Sequence, residues 1–251
     1  MKRLLSAIGF AGLLAVAAPC GWTQSQRSEA QMPAFEVASV RAVPAGRAGQ
    51  TTMSPFGAAQ FATTNASLEY LIQLAFDVRG QQIAGKPGWL SSELYDISAK
   101  PEGDGGLSYE QLKPLLQQLL MQRFHLAIHR ETKNMPGYAL VVAKGGPKLE
   151  ASKGTSGMGA IMADGLRAQN ISMQGIAAML WFPAGAPVID KTGIMGTYDI
   201  SLSFAPEGSA DSALPSLFTA VQEQMGLKLE AQKVPVQMLV IDHVDKIPTD
   251  N

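Results

Sequence analysis

Apolar positions recur at helical spacing in two separate parts of the chain. One series follows Ser67 and the other follows Ser172, and each occupies positions i, i+3, i+4, i+7 and i+8. The members are Leu68, Leu71, Ile72, Ala75 and Phe76 in the first series, and Met173, Ile176, Ala177, Leu180 and Trp181 in the second. This spacing is the stripe of an amphipathic helix, and a serine directly before it is typical of an N-cap. We predict two helices that begin after Ser67 and Ser172 and bury these stripes in the core.

The similarity between the two parts continues beyond these helices. The two serines are 105 residues apart, and at the same offset residues 85–89 align with residues 190–194. Residues 95–98 and 198–201 share the sequence Tyr-Asp-Ile-Ser at an offset of 103. A second helical stripe follows in each part, at Leu112, Leu115, Leu116 and Leu119, and at Leu217, Phe218, Val221 and Met225. An ordered series of matches with small changes in offset indicates an internal repeat.

Two segments with the apolar spacing of β-strands follow each second helix. They span residues 124–130 and 138–143 in the first part, and 227–230 and 236–244 in the second. Proline lacks a backbone N–H and is depleted inside strands, so we place Pro136 and Pro235 in the connections between these segments. The pattern therefore predicts a strand pair after each second helix.

Together these elements predict an α+β fold with two tandem similar units, each with two helices packed on a small, mainly antiparallel sheet. The predicted boundaries are a signal peptide at 1–25, a linker at 26–34, a first α+β unit at 35–150, a connector at 151–164 and a second α+β unit at 165–248. The alternative is one α+β domain in which the two hairpins are similar by coincidence.

The N-terminus has the pattern of a secretory signal peptide. Lys2 and Arg3 precede an apolar run from residue 4 to residue 18, which is shorter than the roughly 20 residues that a membrane-spanning helix needs. We therefore expect an extracytoplasmic protein, either periplasmic or secreted, with no transmembrane helix after signal cleavage. A retained N-terminal anchor is the alternative. Cys20 raises the question of lipidation, although Pro19 fits that pattern poorly, and the cleavage position stays open.

Composition excludes several classes of protein. The 251 residues carry 20 Lys and Arg against 21 Asp and Glu, a formal charge of −1. This balance lacks the basic excess that marks nucleic-acid binding, so we expect no nucleic-acid partner. Cys20 is the one cysteine of the chain, which excludes an internal disulfide framework and a zinc finger.

The candidate catalytic residues do not form a complete motif. His125 and His129 have the i, i+4 spacing of a helical zinc pair, but their segment alternates like a strand and lacks the glutamate of an HExxH motif. We predict exposed strand residues there, no metal site and no cofactor. His243, Asp242 and Asp190 are weak candidates for acid and base chemistry, since carboxylates near a histidine can exchange protons if they converge in a cleft.

Two equivalent turns supply the candidate binding residues. Lys191-Thr-Gly193 matches one motif of penicillin-recognising serine enzymes, but no S-x-x-K is present to supply the nucleophile, so we interpret it as a turn. Its counterpart, Lys86-Pro-Gly88, is also a turn sequence and precedes Trp89. Because recognition residues usually lie on loops, Trp89, Lys86 and Lys191 are the candidates for ligand or partner binding. Packing on the core is the alternative for Trp89.

Eight segments carry a resemblance to a known family: residues 35–40, 65–68, 83–89, 95–100, 119–129, 138–149, 190–199 and 240–245. They resemble the soil-associated secreted proteins expanded in Acidobacteria, the family of domain of unknown function 3738, from about residue 35 to the C-terminus. The resemblance implies an exported bacterial protein without an established activity or defined functional residues. Some relatives carry the domain attached to a membrane peptidase of the antibiotic-sensor type, which implies a sensory or binding role.

A second resemblance covers residues 65–100, which are similar to the short N-terminal domain of secretins and TonB-dependent receptors. The function expected from the sequence is a non-catalytic extracytoplasmic binding, sensory or interaction module. Its groove would lie at the junction of the two units, and its partner would be a cell-envelope protein or a small ligand. The alternative is a secreted hydrolase that uses carboxylate and histidine chemistry, which a cleft shared by His243 and acidic groups would favour.

Overall fold

The computed structural model describes residues 34–249, apart from residues 45, 48, 104, 156, 207 and 209–212. The expected signal peptide, Cys20 and the linker up to residue 33 lie outside these residues. All described residues belong to one structural unit, which spans residues 33–251. Within the described part, no helix has the length and apolar character needed to cross a membrane.

Serine side chains cap the four α-helices of the described residues. The helices are α1 (Leu68–Phe76), α2 (Tyr109–Phe124), α3 (Met173–Ala184) and α4 (Leu217–Met225). The Ser67 hydroxyl accepts a hydrogen bond from the backbone N–H of Tyr70 and the Ser172 hydroxyl accepts one from Gly175, both at 3.2 Å. The predicted starts of α1 and α3 are therefore confirmed. Their stripes are buried, except that Trp181 is half-buried.

The strands form three four-stranded sheets, so the structure is α+β. The strands of the first half are β1 (Val37–Ala42), β2 (Thr52–Met53), β3 (Phe61–Ser67), β4 (Ile83–Ala84), β5 (Leu94–Lys100) and β6 (Ala127–Val142). The strands of the second half are β7 (Glu150–Ala151), β8 (Met158–Met162), β9 (Gly165–Ser172), β10 (Val188–Asp190), β11 (Thr197–Ser203) and β12 (Leu227–His243). A 3-10 turn, Gly80–Gln82, precedes β4.

Two of the sheets have the same strand order. The N-terminal sheet is antiparallel in the order β1-β5-β3-β2, and the C-terminal sheet is antiparallel in the order β7-β11-β9-β8. The strand β8 and the second residue of β7 lie within residues 151–164, which the sequence predicts to be a connector. Along the chain, three strands, a helix, two strands, a helix and a long strand therefore occur in each half in the same sequence.

The central sheet joins the halves. Its order is β10-β6-β12-β4, and the long strands β6 and β12 pair antiparallel along nearly their full length. The short strand β4 of the first half pairs parallel with β12, and β10 of the second half pairs parallel with β6. Each half thus contributes a short strand to the long strand of the other.

The predicted strand pairs after α2 and α4 are wrong, because β6 and β12 each continue through their proline. The structure shows why these prolines are tolerated. The Tyr138 N–H donates to the Pro187 carbonyl at 2.7 Å, on the side away from β12, and Pro136 faces the same way two residues earlier. On β12 the Gln237 carbonyl accepts a side-chain hydrogen bond from the β4 side, so Pro235 faces away from β6. Neither proline removes a donor from the central ladder.

His125 also departs from the prediction of a strand residue. It is the C-cap of α2, in the left-handed region with φ 46°, and β6 begins two residues later. Its backbone N–H donates to the Leu120 carbonyl, which closes the end of the helix. His129 lies in β6 as predicted.

Each hydrophobic core includes residues from a long strand of the other half. The first core combines α1, α2 and the N-terminal sheet with Leu239 and Ile241 of β12. The second core combines α3, α4 and the C-terminal sheet with Leu140 of β6. A small third cluster around Val234 and Val236 lies on β12 between them.

Candidate functional site

Two of the three histidines converge on one carboxylate. Asp245 lies 2.7 Å from His125 Nδ1 and 3.1 Å from His243 Nε2. The hydrogen bond to His125 is the main cause of a lowered pKa for the Asp245 carboxyl, with a smaller contribution from the charge of His243 and an opposing effect of desolvation. All three side chains are more than 40% exposed, so this triad lies on an open surface and not in a cleft.

The third histidine belongs to a separate pair. His129 Nδ1 lies 2.9 Å and 3.0 Å from the two carboxylate oxygens of Asp242. Asp242 is thus the partner of His129, and His243 takes Asp245, two residues further along. Among the described residues, no group of three or more His, Cys, Asp or Glu side chains could hold a metal ion.

Asp190 shapes a turn. Its carboxylate accepts hydrogen bonds from the Thr192 backbone N–H at 2.9 Å and from the Thr192 hydroxyl at 2.7 Å. The neighbouring Lys191 is exposed at its side chain and donates its backbone N–H to the Leu140 carbonyl. Asp190 therefore has the turn-forming role of an Asx motif, whereas the three histidines contact Asp242 and Asp245.

The counterpart turn holds α1 in position. Lys86 Nζ donates to Glu69 Oε1 at 2.9 Å and to the Gly80 carbonyl at 3.1 Å. Trp89 is half-buried and packs against the first core. Lys86 thus supports the 3-10 turn, and Trp89 covers the core beside it.

A pocket of about 290 Å³ lies between the two halves. Residues from the end of α1 and the 3-10 turn line one side, and residues from the end of α3 line the other: Gln73, Arg79, Gly80, Gln81, Trp181, Phe182 and Gly185. We call this space the junction pocket. Trp89 and Lys191 do not line it, whereas Lys86 reaches it indirectly through Gly80.

Arg79 spans the junction pocket. Its guanidinium donates from Nη2 to the Ala178 carbonyl of α3 at 2.5 Å, and its Cζ lies 5.2 Å from the centre of the Trp181 ring. Burial lowers the pKa of Arg79, while the charge of Asp77 opposes this effect. The guanidinium stays charged in water-accessible sites, so partial burial leaves a cation with reduced hydration at the mouth of the pocket.

A larger and shallower groove, of about 550 Å³, covers the open face of the C-terminal sheet. Exposed side chains of β8 and β9 form much of its floor, including Met158, Met162 and Arg167, and Glu150 and Lys148 lie at its margin. The residues are of mixed charge and none is a histidine or a cysteine. The groove is therefore an open surface of the sheet and not an enclosed catalytic cavity.

Arg79 and Phe182 were missed by reasoning from the sequence. Arg79 follows the first helix with no pattern around it, and its partner Ala178 is 99 residues away in the chain. Phe182 directly follows the last residue of the apolar stripe of α3 and is 70% exposed. One feature of the sequence indicates this site: the large Trp181 follows smaller residues in the apolar stripe of α3. It lies near the end of α3, which contacts the other half.

In fold and site, this is an α+β protein built on two long central strands, with a small cationic and aromatic pocket between its halves. The chain belongs to the family described as "Protein of unknown function (DUF3738)", which matches residues 69–244. The family resemblance that the sequence indicates is confirmed over these residues, and the description of the family indicates no activity. No curated protein and no solved structure matches the chain.

Proposed function

We propose that the protein is an exported, extracytoplasmic binding module that holds a small organic anion in the junction pocket without transforming it. The observation that carries this proposal is the half-buried Arg79 guanidinium, which lies over Trp181 at the mouth of a cavity lined by aromatic and amide side chains. Binding sites are commonly concave, largely apolar and equipped with a few polar groups that fix orientation.

The lining suggests the chemistry of the ligand. Arg79 has five N–H donors in a planar fork, and its hydrogen bond to Ala178 uses the Nη2 side of that fork. A carboxylate matches the geometry of a guanidinium and would offset the cost of its partial burial. Trp181 and Phe182 offer apolar surface beside it. The expected ligand is therefore a carboxylate with a flat apolar body.

We also propose that the halves are copies of one ancestral unit, with the second copy beginning at β7. The two outer sheets have the same strand order, and β4 and β10 make equivalent parallel pairings with β12 and β6. Asn65 and Asn170, at an offset of 105, have φ of 52° and 50°. A pocket at the junction of two copies is a common place for a ligand.

The remaining sequence candidates have different places in this proposal. Lys86 supports the pocket, because its hydrogen bond to the Gly80 carbonyl fixes one wall. Trp89 and Lys191 are assigned to a separate contact with a cell-envelope protein, since their turns occupy equivalent positions in the two halves.

The test uses 2-naphthoate and its neutral analogue 2-naphthamide on the mature chain, with binding followed by calorimetry and saturation-transfer NMR. We expect naphthoate to bind more tightly than naphthamide, and Arg79→Gln to weaken naphthoate binding about tenfold or more while naphthamide binding changes little. Trp181→Leu should weaken the binding of both compounds. Arg41→Gln, which removes an exposed arginine of β1, is the matched charge control. Equal naphthoate affinity in the wild type and Arg79→Gln would refute the pocket.

The second candidate is a secreted hydrolase, favoured by the contact of His243 with Asp245 and of Asp245 with His125. A carboxylate beside an imidazole can orient it as a general base. The same preparations distinguish the two functions. Ester hydrolysis that disappears in His243→Ala, with naphthoate binding unaffected by Arg79→Gln, would place the protein among enzymes.

A further inference from the structure

The strand β8 is an unprotected sheet edge. Its sequence is Met158-Gly-Ala-Ile-Met162, without charge or proline, and all five residues are exposed, with Met158 at 74% and Met162 at 46%. Proteins usually protect a free edge by keeping it short, by placing charges on it or by covering it. The other edge strands of the described sheets follow this rule, because β2, β4, β7 and β10 have two or three residues and β1 carries Arg41.

The backbone groups that β8 offers can be identified from the ladder. Phe204 N–H donates to the Asp164 carbonyl, and the backbone of Ser203 instead exchanges hydrogen bonds with the Gln224 side chain on the other side. In β11, even-numbered residues therefore direct their backbone N–H and carbonyl groups toward β9. Their partners in β9 are also even-numbered, so even-numbered residues of β9 direct these groups toward β11 and odd-numbered residues direct them toward β8. Since residues 165, 167 and 169 pair with residues 162, 160 and 158, these β8 residues bond inward. The N–H and carbonyl groups of Gly159 and Ile161 point to the free edge.

We propose that β8 pairs with β8 of a second copy of the chain, antiparallel about a twofold axis through Ala160. In this register the outward groups of Gly159 face those of Ile161 of the second copy, which gives four backbone hydrogen bonds across the axis. Met158 lies opposite Met162 of the second copy on the exposed face. The β8 strands of the two copies then lie at the centre of an eight-stranded sheet made of both C-terminal sheets. This inference is independent of the junction pocket.

The side chains of β8 favour a second copy over an unrelated peptide. On the axis, two equivalent residues form a non-hydrogen-bonded pair, in which Cβ atoms lie about 4.5–5.5 Å apart, and Ala160 is small enough for this approach. On the inner face each Ile161 lies opposite a glycine, and on the outer face each methionine meets a methionine. The strand is therefore complementary to itself in size and has no charge that would repel its copy.

A charge exchange on the axis tests this arrangement. In Ala160→Glu and in Ala160→Lys, two like charges meet at the axis, so we expect each variant to be monomeric by analytical ultracentrifugation while the wild-type mature chain is dimeric. An equal mixture of the two variants should form a heterodimer, because the charges are then opposite. Ala160 is exposed and pairs with Arg167 of β9, so both variants should keep the circular dichroism spectrum of the wild type, and within one molecule Ala160→Lys should unfold at a slightly lower temperature than Ala160→Glu.

A proline provides the second arm. Ile161→Pro removes the outward N–H and leaves the inward ladder to β9 intact, so the dimer dissociation constant should rise about tenfold or more. Ile161→Val keeps the N–H and is the matched control, with little expected change. A wild-type chain that is monomeric at the highest soluble concentration would overturn the proposal. It would be overturned in the same way if that monomer bound an unrelated peptide at β8. A dimer that tolerates both Ala160 variants and Ile161→Pro would also overturn it.

Discussion

At the scale of single residues, one asparagine in each outer sheet adopts a backbone conformation that few residues accept. Asn65 and Asn170 lie in the left-handed region, which asparagine tolerates better than other residues with a side chain. The backbone N–H of Asn65 donates to Asp96 Oδ1 at 3.0 Å, and that of Asn170 donates to Asp199 Oδ1 at 2.9 Å. The pairing of β3 with β5 and of β9 with β11 is interrupted by a β-bulge at each asparagine, and the hydrogen bond to the aspartate holds this bulge just before α1 and α3.

The His125–Asp245 contact predicts an acid-dependent stability. The pKa of Asp245 in the folded chain lies below its ordinary value of 3.8, so the carboxylate contributes stability that is fully present above that value. This contribution is lost as the pH falls through the lower folded pKa. We expect the difference in unfolding free energy between wild type and Asp245→Asn to shrink on acidification from about pH 5 to about pH 2.

Urea unfolding at a series of pH values measures this difference. His125→Gln removes the largest cause of the lowered Asp245 pKa and leaves the smaller contribution of His243, so it should show most, but not all, of the loss of acid dependence seen in Asp245→Asn. A difference between wild type and Asp245→Asn that stays constant over the whole acid range would contradict the assignment.

At the scale of elements, the direction of each backbone N–H decides where proline can stand in the long strands. In β6 the N–H of Lys133, paired with Val236, faces β12, and that of Asn134 faces outward like Pro136. We expect Lys133→Pro to lower the free energy of unfolding by about 2–3 kcal/mol more than Asn134→Pro. Both side chains are exposed, so loss of packing does not confuse the comparison.

Thermal and urea unfolding of the two variants give the result directly. Equal stability of Lys133→Pro and Asn134→Pro would show that β6 does not depend on these ladder bonds. A larger loss in Asn134→Pro would show that the inferred hydrogen-bond alternation is shifted by one residue.

The helices could be predicted from the sequence, whereas the long strands could not. An N-cap and an apolar stripe are local, so Ser67 and Ser172 indicate the starts of α1 and α3 from a few neighbouring residues. The tolerance of Pro136 and Pro235 depends on which side of the ladder they face, and that is known only once the partner strand is placed. Arg79 shares this dependence, because its acceptor lies in the other half of the chain.

At the scale of the whole molecule, the two halves complete each other's cores. Leu239 and Ile241 of the last strand pack in the first core, and Leu140 of β6 packs in the second. A fragment that ends before β7 would lack both the β12 residues and the partner of β4. Folding of one half therefore depends on the presence of the other.

This dependence predicts a single unfolding transition. Leu239→Ala and Leu140→Ala should each cost about 2–5 kcal/mol, since both side chains are fully buried, and each should shift the entire transition. Fragments 34–146 and 147–251 should be unfolded alone and should recover the native circular dichroism spectrum when mixed. Two separate transitions in the intact chain, or a stably folded monomeric fragment, would contradict this prediction.

Under the proposal that the two halves are copies of one unit, the pairing of β4 with β12 and of β10 with β6 also has a historical consequence. A shorter ancestor with one copy of the unit would have had a short strand with no long strand of a second copy to join. It could have completed its sheet only by associating with another molecule of itself. Joining the two genes would have made that contact permanent and released each copy from the need to match its twin. The junction pocket fits this proposal, because the positions that correspond to Arg79 and Trp181 at an offset of 105 hold Ala184 and Phe76. On this proposal, a symmetric ancestor would have had two equal pockets, and the junction pocket of Arg79 and Trp181 would be one of them in specialised form.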